Sequence, residues 1–180
     1  MDLTKALPNT VVCNGRAFSI YTDFRVWMRF EMQIVNWREG DPFEIDYLFK
    51  NDVPVMPDIK ELFAFSRPKS ELPRKMLDDD DTIIIDWEID AELIYAAFLG
   101  QYGIDLFEVK DLHWHKFIAL IKGLNETTKL REVMQYRAYK RDNSKNVDQY
   151  ERLKSAWEIR RLTGEEEQEL DEFSKIFGGE

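Results

Sequence analysis

Two short runs of β-branched and aromatic residues near the start of the chain are separated by Asn14-Gly15. Asn-Gly accepts the positive φ angles of a type I′ turn, so the pattern over residues 10–22 predicts a β-hairpin. A lone hairpin is only marginally stable in water, so we expect it to pack on another element. The helix that follows is the nearest candidate.

Hydrophobic residues then recur at helical spacing. Thr22 or Asp23 can cap a helix that runs to about Trp37 and is stopped by the Gly-Asp-Pro sequence at 40–42. The spacing predicts one broad apolar face on this helix. Its members are Phe24, Val26, Trp27, Met28, Phe30, Ile34, Val35 and Trp37.

Two further short helices are predicted over residues 43–50 and 57–66. The next stretch, 67–81, contains two prolines and the run Asp78-Asp79-Asp80-Asp81, which indicates a flexible acidic linker. The aspartate run lacks the alternating ligands and the turn glycine of a calcium loop, so metal binding there is disfavoured.

The second half of the chain is predicted to be helical after a short extended piece at 82–87. Asp90 is a candidate N-cap and Gly103 a candidate C-cap of a helix that is apolar on nearly every face, which is typical of a central helix buried by its neighbours. Thr163 and Glu166 match a capping box for the last helix. The predicted helices span 91–102, 112–122, 128–139, 148–162 and 164–177.

These elements predict a mainly α fold, with an N-terminal β-hairpin and helices followed by a C-terminal helical bundle. The expected organisation has four segments along the chain. They are an N-terminal hairpin and helices at 1–66, the flexible acidic linker at 67–81, a helical core at 82–145 and charged C-terminal helices at 146–180.

Charge is unevenly distributed. The net charge is -10, which disfavours general binding to nucleic acid. Residues 128–161 nevertheless carry ten Lys or Arg against five acids, whereas 164–180 carry seven acids and one Lys. This contrast indicates self-pairing within one chain or between chains. The N-terminus has no apolar signal segment, and no stretch is long enough to span a bilayer, so a cytoplasmic protein is expected.

Candidate chemistry is sparse. His113 and His115 are two residues apart at a helix start, which favours one exposed ring and one capping or packed ring over a metal site. The acids around Trp87 (Asp86, Glu88, Asp90) suit capping more than catalysis. Cys13 has no basic neighbour in sequence and is expected to be a buried free thiol. Because no nucleophile or phosphate-loop motif is present, we expect no enzyme activity, cofactor or metal.

Two segments are candidates for binding a partner. Basic residues interleaved with Tyr136 and Tyr139 over 129–145 could hold single-stranded nucleic acid, although a solvated helix face is favoured. On the last helix an apolar stripe either packs internally or is presented to a groove on a partner. The basic residues are Lys129, Arg131, Arg137, Lys140, Arg141 and Lys145, and the stripe consists of Leu170, Phe173 and Phe177.

One block of sequence resembles a family encoded in the tail modules of siphophages and prophages of Gram-positive bacteria. The resemblance covers about 86–137, extends more loosely back to the Asn14-Gly15 hairpin, and fades beyond about 145. Its motifs are Asp86-Trp87-Glu88-Ile89-Asp90, Ile94-Tyr95-Ala96-Ala97-Phe98, Tyr102-Gly103-Ile104-Asp105-Leu106, Leu112-His113-Trp114-His115-Lys116-Phe117, Leu120-Ile121-Lys122-Gly123-Leu124 and Met134-Gln135-Tyr136-Arg137.

The genes of that family typically lie just before the tape-measure gene. The resemblance implies a non-enzymatic tail assembly chaperone in the host cytoplasm that binds the tape-measure protein or other tail proteins. Two alternatives stay open. One is a structural tail or head–tail component of the virion, and the other is a nucleic-acid-associated factor that uses the basic segment 129–145.

Overall fold

The computed structural model of the chain describes residues 2–67, 82–140 and 146–159. Within these ranges it contains six α-helices and one two-stranded antiparallel sheet, which confirms the mainly α class. The elements are β1 (Thr10–Cys13), β2 (Arg16–Ser19), α1 (Phe24–Asn36), α2 (Ile59–Ser66), α3 (Ala91–Tyr102), α4 (Trp114–Lys122), α5 (Lys129–Ala138) and α6 (Val147–Trp157).

The described residues divide into two compact units. The first unit contains residues 2–67 and 85–132, and the second contains 82–84, 133–140 and 146–159. Of the predicted linker at 67–81 only residue 67 is described, and the predicted helix at 164–177 lies wholly outside the described residues. The four-segment organisation therefore stays a prediction.

The predicted hairpin is confirmed. Strands β1 and β2 pair antiparallel, and Asn14 and Gly15 at the turn have φ angles of 51° and 78°. The second strand is prolonged by a bridge between Ile20 and Phe49, and the amide of Lys50 donates to the carbonyl oxygen of Ser19 at 3.0 Å. The hairpin is therefore stabilised by a third segment of extended backbone.

That third segment explains why the helix predicted over 43–50 is wrong. Only a 3₁₀ turn forms there, at Asp46–Leu48. The carbonyl oxygen of Leu48 accepts from the amide of Tyr21 at 2.8 Å, so this backbone pairs with the hairpin instead of continuing as an α-helix. Tertiary hydrogen bonding overrides a weak local helix signal. The helix predicted over 57–66 does form, as α2.

Helix α1 begins at the predicted cap, because the carboxylate of Asp23 accepts from the amide of Arg25 at 2.9 Å. Its predicted apolar face is only partly right. Val35 and Trp37 are exposed, whereas Glu31 is buried and pairs with Arg67 at 3.0 Å. Residue spacing gives the direction of an apolar face but not the length over which neighbouring elements cover it.

The core of the first unit is a cluster of aromatic rings centred on Phe117 of α4. Its ring stacks on Phe24 of α1 at 4.8 Å between centroids and on Phe98 of α3 at 5.0 Å. The rings of Trp114 and Trp87 lie at 5.7 and 6.0 Å. Three helices thus converge on one fully buried side chain.

Helix α3 has the predicted bounds, and Gly103 ends it in the left-handed conformation at φ 65°. Its predicted environment is wrong, because only one side of the helix is buried. An apolar composition does not show how many neighbours a helix has. The buried side chains are Ile94, Ala97 and Phe98, whereas Leu99 on the opposite side is exposed.

The remaining helices follow the predictions with shifted ends. Thr128 is at the start of α5 and its hydroxyl accepts from the amide of Arg131 at 3.4 Å. Helix α6 ends at Trp157 rather than at 162, because Glu158 has an extended backbone. The stretch from 82 to 86 has no regular secondary structure and pairs with no other strand among the described residues.

Candidate functional site

The predicted partner-binding stripe, Leu170, Phe173 and Phe177, lies outside the described residues, as does the aspartate run at 78–81. Both stay predictions. The candidate sites within the described residues are a histidine pair, a pair of buried carboxylates, the single cysteine, the start of the basic segment and an exposed apolar surface on α3.

The two histidines lie side by side, with ring centroids 5.1 Å apart. The expectation of one exposed ring is wrong, since both are half-buried. His113 is the N-cap of α4, and its Nδ1 accepts from the amide of His115 at 3.0 Å. Each Nε2 faces a backbone carbonyl oxygen, of Pro8 at 2.9 Å and of Phe65 at 2.8 Å. A carbonyl only accepts, so both Nε2 atoms donate, and neutral His113 uses both ring nitrogens.

This geometry predicts a loss of stability in acid. Burial lowers the pKa of His113 and of His115 below the ordinary value of 6.5. The unfolded chain therefore binds more protons than the folded chain as pH falls through 6.5, and the free energy of unfolding decreases over that window. Protonating His113 at Nδ1 also removes the acceptor that caps α4. The urea midpoint measured between pH 8 and pH 5 is expected to fall.

The matched variant for this measurement is His113→Asn, because an asparagine oxygen can still cap the helix but does not titrate. The wild-type midpoint should fall more steeply with acidification than that of the variant. Equal slopes in the two proteins would show that His113 does not contribute to the pH dependence.

The two buried carboxylates organise the turn that precedes α3. Asp86 Oδ1 accepts from the amides of Glu88 and Ile89, each at 2.9 Å, and Asp90 Oδ2 accepts from the amide of Asp86 at 2.9 Å. Asp90 is the N-cap residue of α3, as predicted, but its side chain makes no capping hydrogen bond to the helix. Within the described ranges, no group of three or more His, Cys, Asp or Glu side chains is placed to hold a metal ion.

The cysteine is the buried free thiol that was expected. Its Sγ lies 3.5 Å from the backbone nitrogen of Asp58, where α2 begins. The thiol thus packs between the hairpin and α2, a structural position.

The basic segment offers less to a phosphate backbone than its sequence indicates. Arg137 is buried, and its Nε donates to the carbonyl oxygen of Trp157 at 2.8 Å. Lys129 pairs with Glu132 at 2.9 Å, and the ring of Tyr139 stacks on that of Tyr150 at 5.0 Å. Arg141 and Lys145 lie outside the described residues. Arg137 and Tyr139 therefore make contacts within the second unit.

An exposed apolar surface in the first unit lies along α3 and the segments next to it. We define the outer face of α3 as Ile89, Ala96, Leu99 and Gly100, together with Phe107 in the loop that follows. The side chains of Ile89, Leu99 and Phe107 are 63%, 44% and 80% exposed. The ring of Phe107 lies 5.2 Å from that of Tyr95, which places it against the side of the helix. Large exposed apolar side chains grouped on one surface are typical of interaction sites.

The loop that carries Phe107 is held in place. The guanidinium of Arg25 donates to the carbonyl oxygens of Leu106 at 2.6 Å and of Val109 at 3.0 Å. The amide of Phe107 donates to Asp105 Oδ1 at 2.9 Å. Phe107 is therefore presented to solvent by a fixed backbone.

The surroundings of the outer face are acidic. Between Glu88 and Asp111 there are six acids and a single base, Lys110. Burial raises the pKa of Tyr95, and the charges of Asp105 and Glu108 raise it further. Hydrophobic periodicity did not predict the outer face, because apolar residues occur on nearly every side of α3. The available signal was Gly100, which lies in the last turn of an otherwise helix-forming sequence.

Comparison with known families shows to which family the chain belongs. Residues 42–162, more than half of the chain, match the family described as Bacteriophage Gp15 protein. The chain belongs to this family. Membership of the Gp15 family indicates a phage structural or assembly-related protein, and the matched range includes α2 to α6. No curated protein matches the chain, and no solved structure does.

None of the described helices combines the length and the apolar character needed to cross a bilayer.

Proposed function

We propose that this Gp15-family chain is a non-enzymatic tail assembly chaperone that binds the tape-measure protein in the host cytoplasm. Membership of a bacteriophage family carries the proposal. The tail-module resemblance of residues 86–137 lies inside the matched range and supports the finer role.

The physical requirements of the role fit the described residues. A tape-measure protein is long and helical, and its apolar stripes aggregate unless they are covered before the tail tube polymerises. A chaperone for it needs exposed apolar side chains on a body that stays soluble through its charge. The net charge of -10 and the exposed side chains of Ile89, Leu99 and Phe107 provide this combination.

The absence of catalysis is part of the proposal. The buried carboxylates Asp86 and Asp90 accept hydrogen bonds from backbone amides of their own turn. At least three of the four ring nitrogens of His113 and His115 are likewise engaged with the backbone. These groups are committed to structure, which leaves them poorly placed as general acids or bases.

Co-expression with the tape-measure protein of the same phage tests the proposal. We expect the tape-measure protein to become soluble and to co-elute with the chain on size exclusion. Phe173→Asp with Phe177→Asp should abolish the complex if the last predicted helix carries the contact, and leave it intact if the contact is elsewhere. A tape-measure protein that stays insoluble, or is soluble by itself, would contradict the chaperone role.

The second candidate is a structural tail or head–tail component, which Gp15-family membership favours equally. Mass spectrometry of purified virions separates the two. A chaperone is absent from the finished particle, whereas a structural component is present at a fixed copy number.

A further inference from the structure

We infer that the outer face of α3 is the docking surface for a basic amphipathic helix, one whose apolar stripe is flanked by Lys and Arg. The inference rests on the proposed function in one respect, that the helix belongs to the tape-measure protein. The described residues alone define the surface and the chemistry of its occupant.

Exposed apolar side chains occur in α3 and in the segments directly before and after it. Single exposed leucines are ordinary on protein surfaces, but here Leu99 of α3, Ile89 in the preceding turn and Phe107 in the following loop are all exposed. Helical spacing puts Ala96 and Gly100, which are one turn apart, on the same side of α3 as Leu99. The surface is therefore an apolar strip along α3 with Phe107 at one edge.

Gly100 shapes the strip. A β-carbon added to Gly100 would meet no atom within 4 Å, so nothing inside the fold requires glycine there. Glycine is a weaker helix former than alanine, so it does not favour the last turn of α3 either. The missing side chain, with the small Ala96 one turn before it, leaves a shallow depression beside Leu99 where a second helix can approach closely.

The backbone that carries Phe107 is rigid. The Phe107 loop is fixed by Arg25, whose guanidinium also pairs with Asp23 at 3.2 Å. An aromatic side chain on a fixed backbone loses little conformational freedom on binding, which is the property of a binding anchor.

The charge around the strip determines which kind of helix can bind there. Glu88, Glu92 and Glu108 around the strip are exposed and form no ion pair with any described residue. A negative rim attracts a helix with basic flanks and repels an acidic one. A second copy of this face would bring two negative rims together, so charge disfavours self-pairing through it.

Two labelled peptides of about 20 residues test the inference with the full-length chain. Both are amphipathic helices with the same leucine stripe, and one is flanked by lysines whereas the other is flanked by glutamates. We expect the lysine peptide to bind at least about tenfold more tightly. Equal affinities, or no binding of the lysine peptide, would overturn the inference.

Variants locate the contact. Gly100→Gln places a long neutral side chain in the depression while improving helix propensity, and should weaken the lysine peptide at least about tenfold without loss of thermal stability. Phe107→Asp should weaken it similarly. Val55→Asp, at a fully exposed apolar residue elsewhere in the first unit, is the matched control and should leave binding unchanged. Equal binding by Gly100→Gln and the wild type would overturn the site.

Charge reversal tests the occupant. Glu92→Lys with Glu108→Lys should reduce binding of the lysine peptide and increase binding of the glutamate peptide. If sedimentation instead showed a dimer that Phe107→Asp dissociates, the occupant would be a second copy and the inference would be wrong.

The same variants separate this inference from the proposed function. A tape-measure protein solubilised equally by the wild type and by Gly100→Gln would leave the chaperone role standing and reject the surface. A tape-measure protein that the wild type does not solubilise would reject the chaperone role, while the peptide titrations would still decide the surface.

Discussion

Phe117→Ala is expected to destabilise the first unit by about 3–5 kcal/mol, the range observed when a fully buried phenylalanine is truncated. The side chain is completely buried and its ring is stacked between Phe24 and Phe98. Truncation loses the transfer free energy of the ring and leaves a cavity where α1, α3 and α4 meet. Because that loss is comparable with the whole stability of many domains, much of the variant should be unfolded at 37 °C.

Urea denaturation followed by tryptophan fluorescence measures the effect, since Trp87 and Trp114 lie beside Phe117. Phe107→Ala makes the same chemical change at a residue that is 80% exposed, and should alter the free energy of unfolding by less than about 0.5 kcal/mol. Similar losses in the two variants would mean that the aromatic cluster is not the centre of this core.

Local signals in the sequence predicted the structure correctly where the backbone hydrogen bonds are made by residues close together in the chain. The Asn14-Gly15 turn, the Asp23 cap and the Gly103 stop each depend on a few neighbouring residues, and all three formed where predicted. Backbone hydrogen bonds between distant segments could not be predicted from the sequence. The segment 43–50 lies beside the hairpin because the amide of Tyr21 donates to the carbonyl oxygen of Leu48 and the amide of Lys50 donates to that of Ser19, and no local pattern encodes these bonds.

Burial was predicted less well than secondary structure. Spacing identified Trp27 and Phe30 correctly, but it also assigned Val35 and Trp37 to the core. Glu31 shows the opposite error, since its carboxylate is buried through pairing with Arg67 from a distant part of the chain. Periodicity reports the direction in which a side chain points, whereas burial depends on which other elements pack there.

The same limit applies to the candidate site. An apolar helix surface that is covered by its own chain and one that is left for a partner have the same composition. The two surfaces differ only in whether another element packs against them. The outer face of α3 could therefore be identified only once the structure showed that Ile94, Ala97 and Phe98 form the buried side. The C-terminal stripe Leu170, Phe173 and Phe177 stays a prediction from sequence.

Arg137→Ala is expected to lower the free energy of unfolding of the second unit by about 2–3 kcal/mol, the cost of removing a buried charged hydrogen-bond donor from its carbonyl acceptors. The buried guanidinium donates to the carbonyl oxygens of Trp157 at 2.8 Å and of Ile84 at 3.2 Å. It therefore joins α5 to the end of α6 and to the segment at 82–84. Helix α6 has no buried side chain of its own, so it depends strongly on such contacts.

Hydrogen exchange followed by mass spectrometry measures this effect locally. Protection of amides in α6 should fall in Arg137→Ala, whereas amides of α4 in the first unit should be unaffected. Arg137→Lys should recover only part of the protection, because one ammonium group lacks the planar fork that spans two acceptors. Arg152→Ala removes an exposed arginine from α6 itself and should leave protection unchanged. Unchanged protection in Arg137→Ala would contradict a structural role for Arg137, and this part of the basic segment would again be a candidate for binding phosphate.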